Sequence, residues 1–298
     1  MTDAPVAVAP ELLRFAVVAA FVPTAELAPL ARAADELGYD ALCLGDHVVD
    51  LETIETPYPY SSSGERRWDT AMEWPDPWVM AGNLAAVTQR LSFFTSIYVT
   101  AMRNPYVVAK AVGTAAVVSG GRVKLGVGVG WCREEFELLE ADFSTRGKRT
   151  DEALALLRRL WTEPWVSSEG PFYPAPRLTM RPMPPVEVPI LVGGLSDVAI
   201  RRAARHDGWI SDIMPTDDAI AVAGRLAALR DADAPRAEVV VALNDALVAD
   251  DFARAAVGGV TEVMTQPWYY YHGRDASLEQ KIDGLERFKR DVLDPLRG

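Results

Sequence analysis

Apolar strands and amphipathic helices alternate along the chain. Short runs rich in branched and aromatic residues recur at regular intervals, and the segments between them carry apolar residues at helical spacing. The predicted strands are residues 13–21, 39–45, 91–100, 123–128, 189–192, 209–213, 239–246 and 262–266. The predicted helices are residues 24–37, 77–89, 105–118, 145–162, 197–206, 216–230, 252–257 and 278–292.

The first strand-helix unit shows how these elements connect. Thr24 is a suitable N-cap for the first helix, and Gly38 ends that helix just before the second strand. A helical crossover of this length joins parallel neighbouring strands and leaves the helix packed on the sheet. Eight such pairs in 298 residues predict an α/β fold, a (β/α)8 TIM barrel formed by residues 1–298 as a single domain.

Two segments are longer than the short loops that usually join a strand to a helix. Residues 48–76 are rich in proline, serine and aromatic residues, and residues 164–188 are rich in proline. Long loops in a compact domain are usually functional or disordered. Because the first segment follows a strand, we expect a long insertion loop at the carboxyl-terminal rim, where barrel enzymes carry their active sites.

The fourth predicted strand ends in a run of glycines. Bulky residues alternate with glycine from Leu125 to Gly130, so one face of the strand is nearly bare. A bare face allows a close approach, and we expect a flat or anionic ligand there. A bulge or a close helix-on-sheet contact is the alternative. The dinucleotide-binding pattern G-x-G-x-x-G is not met, because Arg133 stands where its last glycine would be.

The composition is that of a soluble globular protein, with 49% hydrophobic and 24% charged residues. Acidic residues outnumber basic ones by 42 to 30, which gives a formal net charge of -12. Such a surface would be repelled by nucleic acid and by an anionic membrane. We therefore expect neither as a partner.

The two cysteines, Cys43 and Cys132, lie far apart in sequence and are expected to be free thiols. No histidine or cysteine is spaced to complete a zinc site, so we expect no metal. The chain also shows no amino-terminal signal segment and no apolar run near the roughly 20 residues that span a bilayer. These features predict a cytoplasmic protein.

Two short motifs stand at strand ends where chemistry is expected. Asp46 and His47 close the second strand, which makes His47 a candidate acid or base. In the alternative interpretation, His47 only caps the end of the strand and Asp46 tethers a loop. Gly193 and Gly194 follow the fifth strand, and Ser196 begins a helix, so free backbone N–H groups would face an anion such as phosphate. The same turn also occurs widely without a ligand.

Four arginines in or near the glycine-rich segment could hold that phosphate: Arg122, Arg133, Arg146 and Arg149. The four arginines could equally well form ion pairs with nearby acidic residues, namely Glu134, Glu135, Asp151 and Glu152. No nucleophile elbow, Walker loop or zinc-protease motif occurs in the sequence. An organic cofactor is therefore expected, in preference to hydrolysis or metal chemistry.

Several longer motifs resemble the luciferase-like family of flavin- and deazaflavin-dependent monooxygenases and oxidoreductases. They cover most of residues 13–210, whereas the last third of the chain matches only in its alternation of strands and helices. The matching segments are Asp46-His47-Val48-Val49, residues 57–61, Arg103-Asn104-Pro105, residues 119–122, residues 125–136, residues 143–161, Val192-Gly193-Gly194 and residues 207–210.

This resemblance implies a barrel that binds FMN or the deazaflavin coenzyme F420, and His47, a candidate acid or base from its place at a strand end, is the expected catalytic residue. It places the cofactor phosphate at main-chain groups near Gly130 and Gly193-Gly194, and a non-prolyl cis peptide between Ser96 and Ile97 against the ring. The cofactor-binding residues that it implies are Asp46, Ser96, Ile97, Gly128, Gly130, Trp131, Gly193 and Gly194.

The expected function is hydride transfer between F420 and an unidentified small organic substrate, in a homodimer. F420 is favoured over FMN because the Asp46-His47 pair, the loop at residues 57–61 and Gly130-Trp131 look like the deazaflavin branch. A reduced-FMN-dependent two-component monooxygenase, supplied by a separate flavin or F420 reductase, is the main alternative. A non-catalytic flavin-binding barrel is the other alternative.

Two residues of this chain differ from those of the sugar-phosphate dehydrogenases in the family. The sugar-phosphate dehydrogenases that this chain resembles have a glutamate where Trp131 stands and a tryptophan where Leu51 stands. That specific activity is therefore not expected here.

Overall fold

Eight parallel strands close into a barrel in the computed structural model, which describes residues 7–231 and 233–298. The strands of the described residues are β1 (Arg14–Val18), β2 (Ala41–Leu44), β3 (Ser92–Thr95), β4 (Val123–Val127), β5 (Val166–Ser168), β6 (Ala175–Leu178), β7 (Ile190–Gly193), β8 (Gly208–Met214), β9 (Glu238–Leu243) and β10 (Glu262–Thr265). Strands β5 and β6 form a separate antiparallel hairpin, and the other eight follow one another around the barrel. The predicted (β/α)8 fold is confirmed.

Helices follow the barrel strands and cover the outside of the sheet. They are α1 (Thr24–Leu37), α2 (Pro77–Ala85), α3 (Pro105–Val118), α4 (Arg133–Leu138), α5 (Arg146–Thr162), α6 (Asp197–Ala204), α7 (Thr216–Leu229), α8 (Ala249–Val257), α9 (Trp268–Tyr271), α10 (Leu278–Phe288) and α11 (Asp294–Arg297). The sequence pattern does not predict the short helices α4, α9 and α11. Within the described part of the chain, no helix has the length and apolar character needed to cross a membrane.

The two faces of the barrel strands enter two different cores. Outward side chains such as Phe15 and Leu125 pack against the helices in the larger core. Inward side chains such as Ala16, Cys43 and Phe94 form a smaller cluster inside the barrel. This arrangement follows from the period-two alternation of a strand whose two faces are both covered.

Buried charges fill the barrel at the amino-terminal ends of its strands. Lys124 Nζ donates to Glu238 at 2.6 Å and to Glu262 at 2.8 Å, and Arg14 pairs with the same two carboxylates. The side chain of Glu262 is only 1% exposed. Two cations therefore face two carboxylates, and the barrel interior is filled at this end by paired charge. The sequence analysis did not identify this cluster.

Two predicted strands end earlier in the structure than the sequence pattern suggests. Strand β1 stops at Val18, and Phe21 adopts a positive φ of 67° in the turn that follows. Strand β3 stops at Thr95, and a cis peptide joins Ser96 to Ile97, as the family resemblance implies. Pairing with β4 then resumes as a single bridge from Tyr98. The chain at both places turns into the carboxyl-terminal mouth of the barrel.

Candidate active site

A cavity of about 1520 Å³ opens at the carboxyl-terminal end of the barrel. Its wall is formed by strand ends, by the amino-terminal turns of α5 and α6, and by residues 48–76, which we call the rim loop. Single small-ligand pockets usually measure roughly 300–1,000 Å³. The cavity is therefore large enough for two molecules, and the rim loop lies where the sequence predicts it.

The imidazole of His47 lies in this cavity and is held by a glutamate from α4. Nδ1 of His47 is 2.8 Å from Oε2 of Glu135, and Oε1 of Glu135 accepts the backbone N–H of Val48 at 2.9 Å. The side chain of Glu135 is only 4% exposed. Because a carboxylate accepts hydrogen bonds, the proton of the neutral imidazole is placed on Nδ1, and Nε2 is left as the basic nitrogen.

Asp46, the neighbour of His47, has a different partner. Its two carboxylate oxygens accept from Arg103 at 2.8 and 2.7 Å, and Oδ2 also accepts the N–H of Val99 at 3.1 Å. The carboxylate that contacts the His47 ring is that of Glu135 and not that of Asp46. Asp46 instead joins the end of β2 to the segment after β3, with a side chain only 1% exposed on the cavity wall.

The bare face of β4 is filled by the neighbouring chain segment. A Cβ at Gly126 would collide with the carbonyl oxygen of Thr95, and one at Gly128 would collide with the side chain of Ile97. These two glycines are needed because the bulged segment after β3 crosses directly over β4. The expectation that a ligand requires the bare face is therefore wrong at Gly126, and the alternative of a bulge is correct there.

Ile97 is the residue around which this wall of the cavity is packed. Its side chain fits between Gly128, just after β4, and Gly193 on β7; a Cβ on Gly193 would lie 3.0 Å from it. Ser96, Ile97, Gly128 and Gly193 all line the cavity. The cis peptide thus lies beside the space available to a ligand, which agrees with the geometry that the resemblance implies.

One wall of the cavity contains an arrangement suited to an anion. Gly130 and Gly194 have positive φ values of 83° and 115°, and both line the cavity with Ser196 and Gly147. Ser196 caps α6 by accepting the N–H of Ala199 at 3.2 Å. The amino-terminal turns of α5 and α6 both contribute to this wall, and the N–H groups and positive dipole ends of such turns favour negative charge.

Arg146, at the start of α5, adds a cation to the same wall. Its guanidinium donates to the carbonyls of Gly130 at 3.2 Å and Phe143 at 2.9 Å, and it forms no salt bridge with any carboxylate of the described residues. Burial, with the nearby Arg133, lowers the pKa of Arg146. A bound anion would oppose this shift, because a neighbouring negative charge favours the charged guanidinium.

The other three arginines considered from the sequence lie outside the cavity lining. Arg122, for example, donates to main-chain carbonyls at the ends of α2 and α3. The acidic residues expected to pair with the four arginines also have other partners: Asp151 binds Arg202, and Glu152 accepts N–H groups from Phe172 and Tyr173. Of the alternatives left open by the sequence, the structure favours Arg146 as the anion-facing arginine.

A second glutamate of α4, Glu134, fixes the rim loop. Its Oε1 accepts the N–H groups of Glu55 at 2.8 Å and Thr56 at 2.9 Å. Although burial raises the pKa of Glu134, hydrogen bonds from its own backbone and from Thr56 and Glu55 lower it to about 2. The carboxylate form of Glu134 therefore holds the rim loop against α4.

The first prediction concerns this attachment. The folded-state pKa of Glu134 is about 2, below its ordinary value of 4.5, so its stabilising effect is complete above pH 4.5 and is lost as the pH falls toward 2. We expect the rim loop to detach in that range, which a titration of tryptophan fluorescence would detect. Glu134→Gln keeps an accepting oxygen but cannot titrate, so it should lack this transition. An identical acid transition in both proteins would contradict the assignment.

Comparison with known proteins identifies the family. A profile of the luciferase-like monooxygenase family matches residues 11–287. The chain belongs to this family. An uncharacterized protein of Mycobacterium tuberculosis is 34% identical over 287 residues, which covers 94% of this chain and 99% of its relative. An F420-dependent glucose-6-phosphate dehydrogenase of Nakamurella multipartita is 33% identical over 190 residues, which covers 62% of this chain and 51% of that enzyme.

Solved structures of the luciferase-like fold superpose over almost the whole chain. An F420-dependent secondary alcohol dehydrogenase, in complex with an F420-acetone adduct, gives a TM-score of 0.72 at 16% identity, covering 96% of this chain and 99% of its own. The oxygenating constituent of 3,6-diketocamphane monooxygenase from Pseudomonas putida, in complex with FMN, gives 0.68 at 13% identity, covering 95% and 98%. At these identities the likeness shows the shared fold.

In this luciferase-like barrel, aromatic side chains surround His47. The ring centroids of Trp68 and Trp74, both from the rim loop, lie 5.0 Å from that of the imidazole, and the centroid of Trp131 lies 6.3 Å away. Tyr58 packs edge-on against Trp131 at 5.2 Å. Trp131 therefore belongs to an aromatic cluster at the His47 end of the cavity.

All three histidines of this family member are described, and only His47 lines the cavity. Burial, with the nearby Arg158, lowers the pKa of His206 to about 4, so His206 is neutral at pH 7 and does not act as a cation at the end of α6. His272 Nε2 contacts Asp283 and joins α9 to α10. Both have structural roles.

The two cysteines of this barrel are free and buried, as the sequence predicts. Burial raises the pKa of Cys132 to about 12 and also raises the pKa of Cys43. Each thiol therefore stays protonated at neutral pH, and a protonated thiol is a poor nucleophile.

Proposed function

We propose that this protein is an F420-dependent oxidoreductase that transfers a hydride between the deazaflavin and a small organic substrate. One observation carries the proposal: the imidazole of His47, held by Glu135, and the wall that contains Arg146 and suits an anion open on the same cavity. Such a cavity suits a phosphate-bearing cofactor anchored at one end and a substrate that requires proton transfer at the other.

The residues present fit such a cofactor. Gly130 and Gly194 keep side chains away from the phosphate region, and the helix turns at Gly147 and Ser196 present N–H groups to it. Arg146 supplies positive charge that lacks a carboxylate partner among the described residues. When bound, the deazaflavin supplies a carbon centre that donates or accepts a hydride.

His47 handles the proton that accompanies hydride transfer. With Nδ1 directed to Glu135, the free Nε2 can accept a proton from a substrate hydroxyl in the oxidising direction. In the reducing direction the protonated imidazole gives that proton to the substrate oxygen. Glu135 stabilises the positive imidazole in either case, because its carboxylate is buried beside Nδ1.

The rim loop excludes water from the reacting groups. Trp68 and Trp74 cover one side of His47, and Glu134 ties the same loop to α4. Excluding water strengthens the interactions of the imidazole with its carboxylate partner and with the substrate. Loop opening would then control access to the cavity.

The second prediction concerns the choice of cofactor. We expect the purified protein to bind F420 at least about tenfold more tightly than FMN, a difference of about 1.4 kcal/mol. The F420-dependent relative from Nakamurella multipartita supports F420, whereas the backbone phosphate site would serve either cofactor. Titration of each cofactor with tryptophan fluorescence as the readout measures both affinities. Tighter binding of FMN by the same factor would favour the monooxygenase.

A reduced-FMN-dependent monooxygenase is the second candidate, because the family to which the chain belongs includes monooxygenases. It would require a separate reductase, so turnover that depends on added reductase and oxygen would distinguish it from the F420 enzyme. A protein that binds cofactor and shows no turnover with any electron donor would be a non-catalytic barrel. We also propose a homodimer, which light scattering of the purified protein would test.

A further inference from the structure

The His47 end of the cavity is enclosed by aromatic rings. In addition to the contacts around His47 described above, Phe21 stacks on Trp68 at 6.3 Å and meets Trp74 edge-on at 5.8 Å. These rings all line the cavity, and they come from the β1 turn, the rim loop and the segment after β4. Flat apolar surfaces arranged at steep angles to one another form a slot that favours planar ligands.

The charged groups at this end of the cavity are already paired or lie at its mouth. Arg67 pairs with Asp212 at 2.9 Å and also donates to the carbonyl of Tyr60. Arg274 donates to the carbonyl of Arg67 at 2.7 Å and is exposed. A charged substrate group deep in the slot would therefore lose its hydration without gaining an opposite charge, which is costly.

One nitrogen atom at this end is suited to an oxygen atom of the substrate. Nε2 of His47 is not engaged by Glu135, so it can accept from a hydroxyl or, when protonated, donate to a carbonyl oxygen. Nε1 of Trp74 is buried without an acceptor among the described residues, and the opposite edge of the indole rests on Gly45, where a Cβ would collide with it.

We infer that the substrate is an uncharged, planar, largely apolar molecule with one carbonyl or hydroxyl oxygen, such as an aryl ketone or the corresponding alcohol. The reaction itself is taken from the proposed function, on which this inference rests. The class of substrate is inferred from the aromatic slot. It also gives a physical reason why a sugar phosphate is a poor substrate, because the slot offers neither a free cation in its depth nor a polar wall.

The test is calorimetric titration of the full chain, first saturated with F420, using matched probes. The probes are 2-acetylnaphthalene, 2-naphthoate, which carries a carboxylate on the same rings, and glucose 6-phosphate. We expect the ketone to bind at least about tenfold more tightly than the carboxylate, and glucose 6-phosphate to show no binding. Tighter binding of either anion would overturn the inference and would indicate Arg274 as an anchor.

Variants locate the probe within the cavity. Trp68→Leu and Trp131→Leu should each weaken ketone binding by about tenfold or more, and F420 affinity should be retained in Trp68→Leu. Trp165→Ala is the matched control, because Trp165 lies outside the cavity lining and is 48% exposed. Unchanged ketone affinity in both slot variants, or competition between the ketone and F420, would overturn the inference.

The same titrations separate the two proposals. If F420 binds but the ketone does not, the substrate class is wrong and the cofactor assignment stands. If the ketone binds with the expected dependence on Trp68 and Trp131 but F420 does not bind, the substrate class stands and the proposed function is wrong. Retained F420 binding also shows that a variant is folded, so loss of ketone binding in such a variant is a property of the slot.

Discussion

Gly126→Ala should destabilise the protein by about 3 kcal/mol or more, the size expected for severe overpacking. The new Cβ would collide with the carbonyl oxygen of Thr95, which belongs to the main chain of the adjacent strand. A side chain could move aside, but this carbonyl belongs to the main chain of β3, where Thr95 pairs with Leu44 of β2. Urea denaturation followed by circular dichroism measures the change in the free energy of unfolding.

Gly82→Ala is the matched control for this substitution. Gly82 lies inside α2, and the nearest atom to its added Cβ would be a methyl of Val118 at 3.8 Å, an ordinary contact. Alanine in a helix interior is more favourable than glycine by about 0.5–1 kcal/mol, so this variant should be slightly stabilised. If Gly126→Ala and Gly82→Ala unfolded at the same urea concentration, the packing explanation of the glycine face would be wrong.

His47→Ala should lower kcat by about 10²–10⁴ with little change in cofactor affinity, which is the usual contribution of a general acid or base. The reason is that Nε2 of His47 opens on the cavity, whereas the anion-facing groups are at Gly130 and Arg146. Steady-state kinetics and F420 titration of the same variant measure both quantities. Lost cofactor binding with normal turnover at saturation would assign His47 to cofactor binding instead.

Glu135→Gln tests how the imidazole is oriented. The amide of glutamine can donate to Nδ1 of His47, which favours the tautomer with its proton on Nε2 and removes the free base. We therefore expect kcat to fall by about 10²-fold or more while the affinity for F420 is retained. Glu134→Gln, the neighbouring substitution, should retain most of the activity at neutral pH.

Nuclear magnetic resonance gives a readout of the same variant that does not depend on activity. With only three histidines in the chain, the ring nitrogens of His47 can be assigned and its tautomer read directly. The Nδ1–H form should dominate in the natural protein and the Nε2–H form in Glu135→Gln. The same tautomer in both proteins would show that Glu135 does not orient His47.

Much of the fold could be predicted because strands and helices of a barrel differ in local periodicity. The strand around Leu125 and the helix that ends at Gly38 both have patterns set by neighbours within a few residues. Strand ends were less predictable. The chain leaves β1 through a positive φ at Phe21 and leaves β3 through a cis peptide, and neither conformation follows from apolar patterning.

The functional site could be predicted only in part, because its contacts join distant segments. His47 was found by its position at a strand end, but its partner Glu135 lies 88 residues away and reads in sequence as one of several surface acids. The glycines of this segment are visible in the sequence, but their cause lies in Thr95 at the end of β3 and Ile97 just after it. The adjacent glutamates Glu134 and Glu135, at the start of a short helix, are the one feature of the sequence that points to these contacts.

Helix α4 links two events that could otherwise be independent. Its adjacent residues Glu134 and Glu135 bind the rim loop and His47 respectively, so a displacement of α4 that frees the loop also takes the carboxylate from Nδ1. An open barrel would then admit molecules while its imidazole lacks the orientation needed for proton transfer. In the function proposed above, this link would keep turnover coupled to substrate enclosure, because a molecule that entered the open barrel would meet no correctly oriented proton donor.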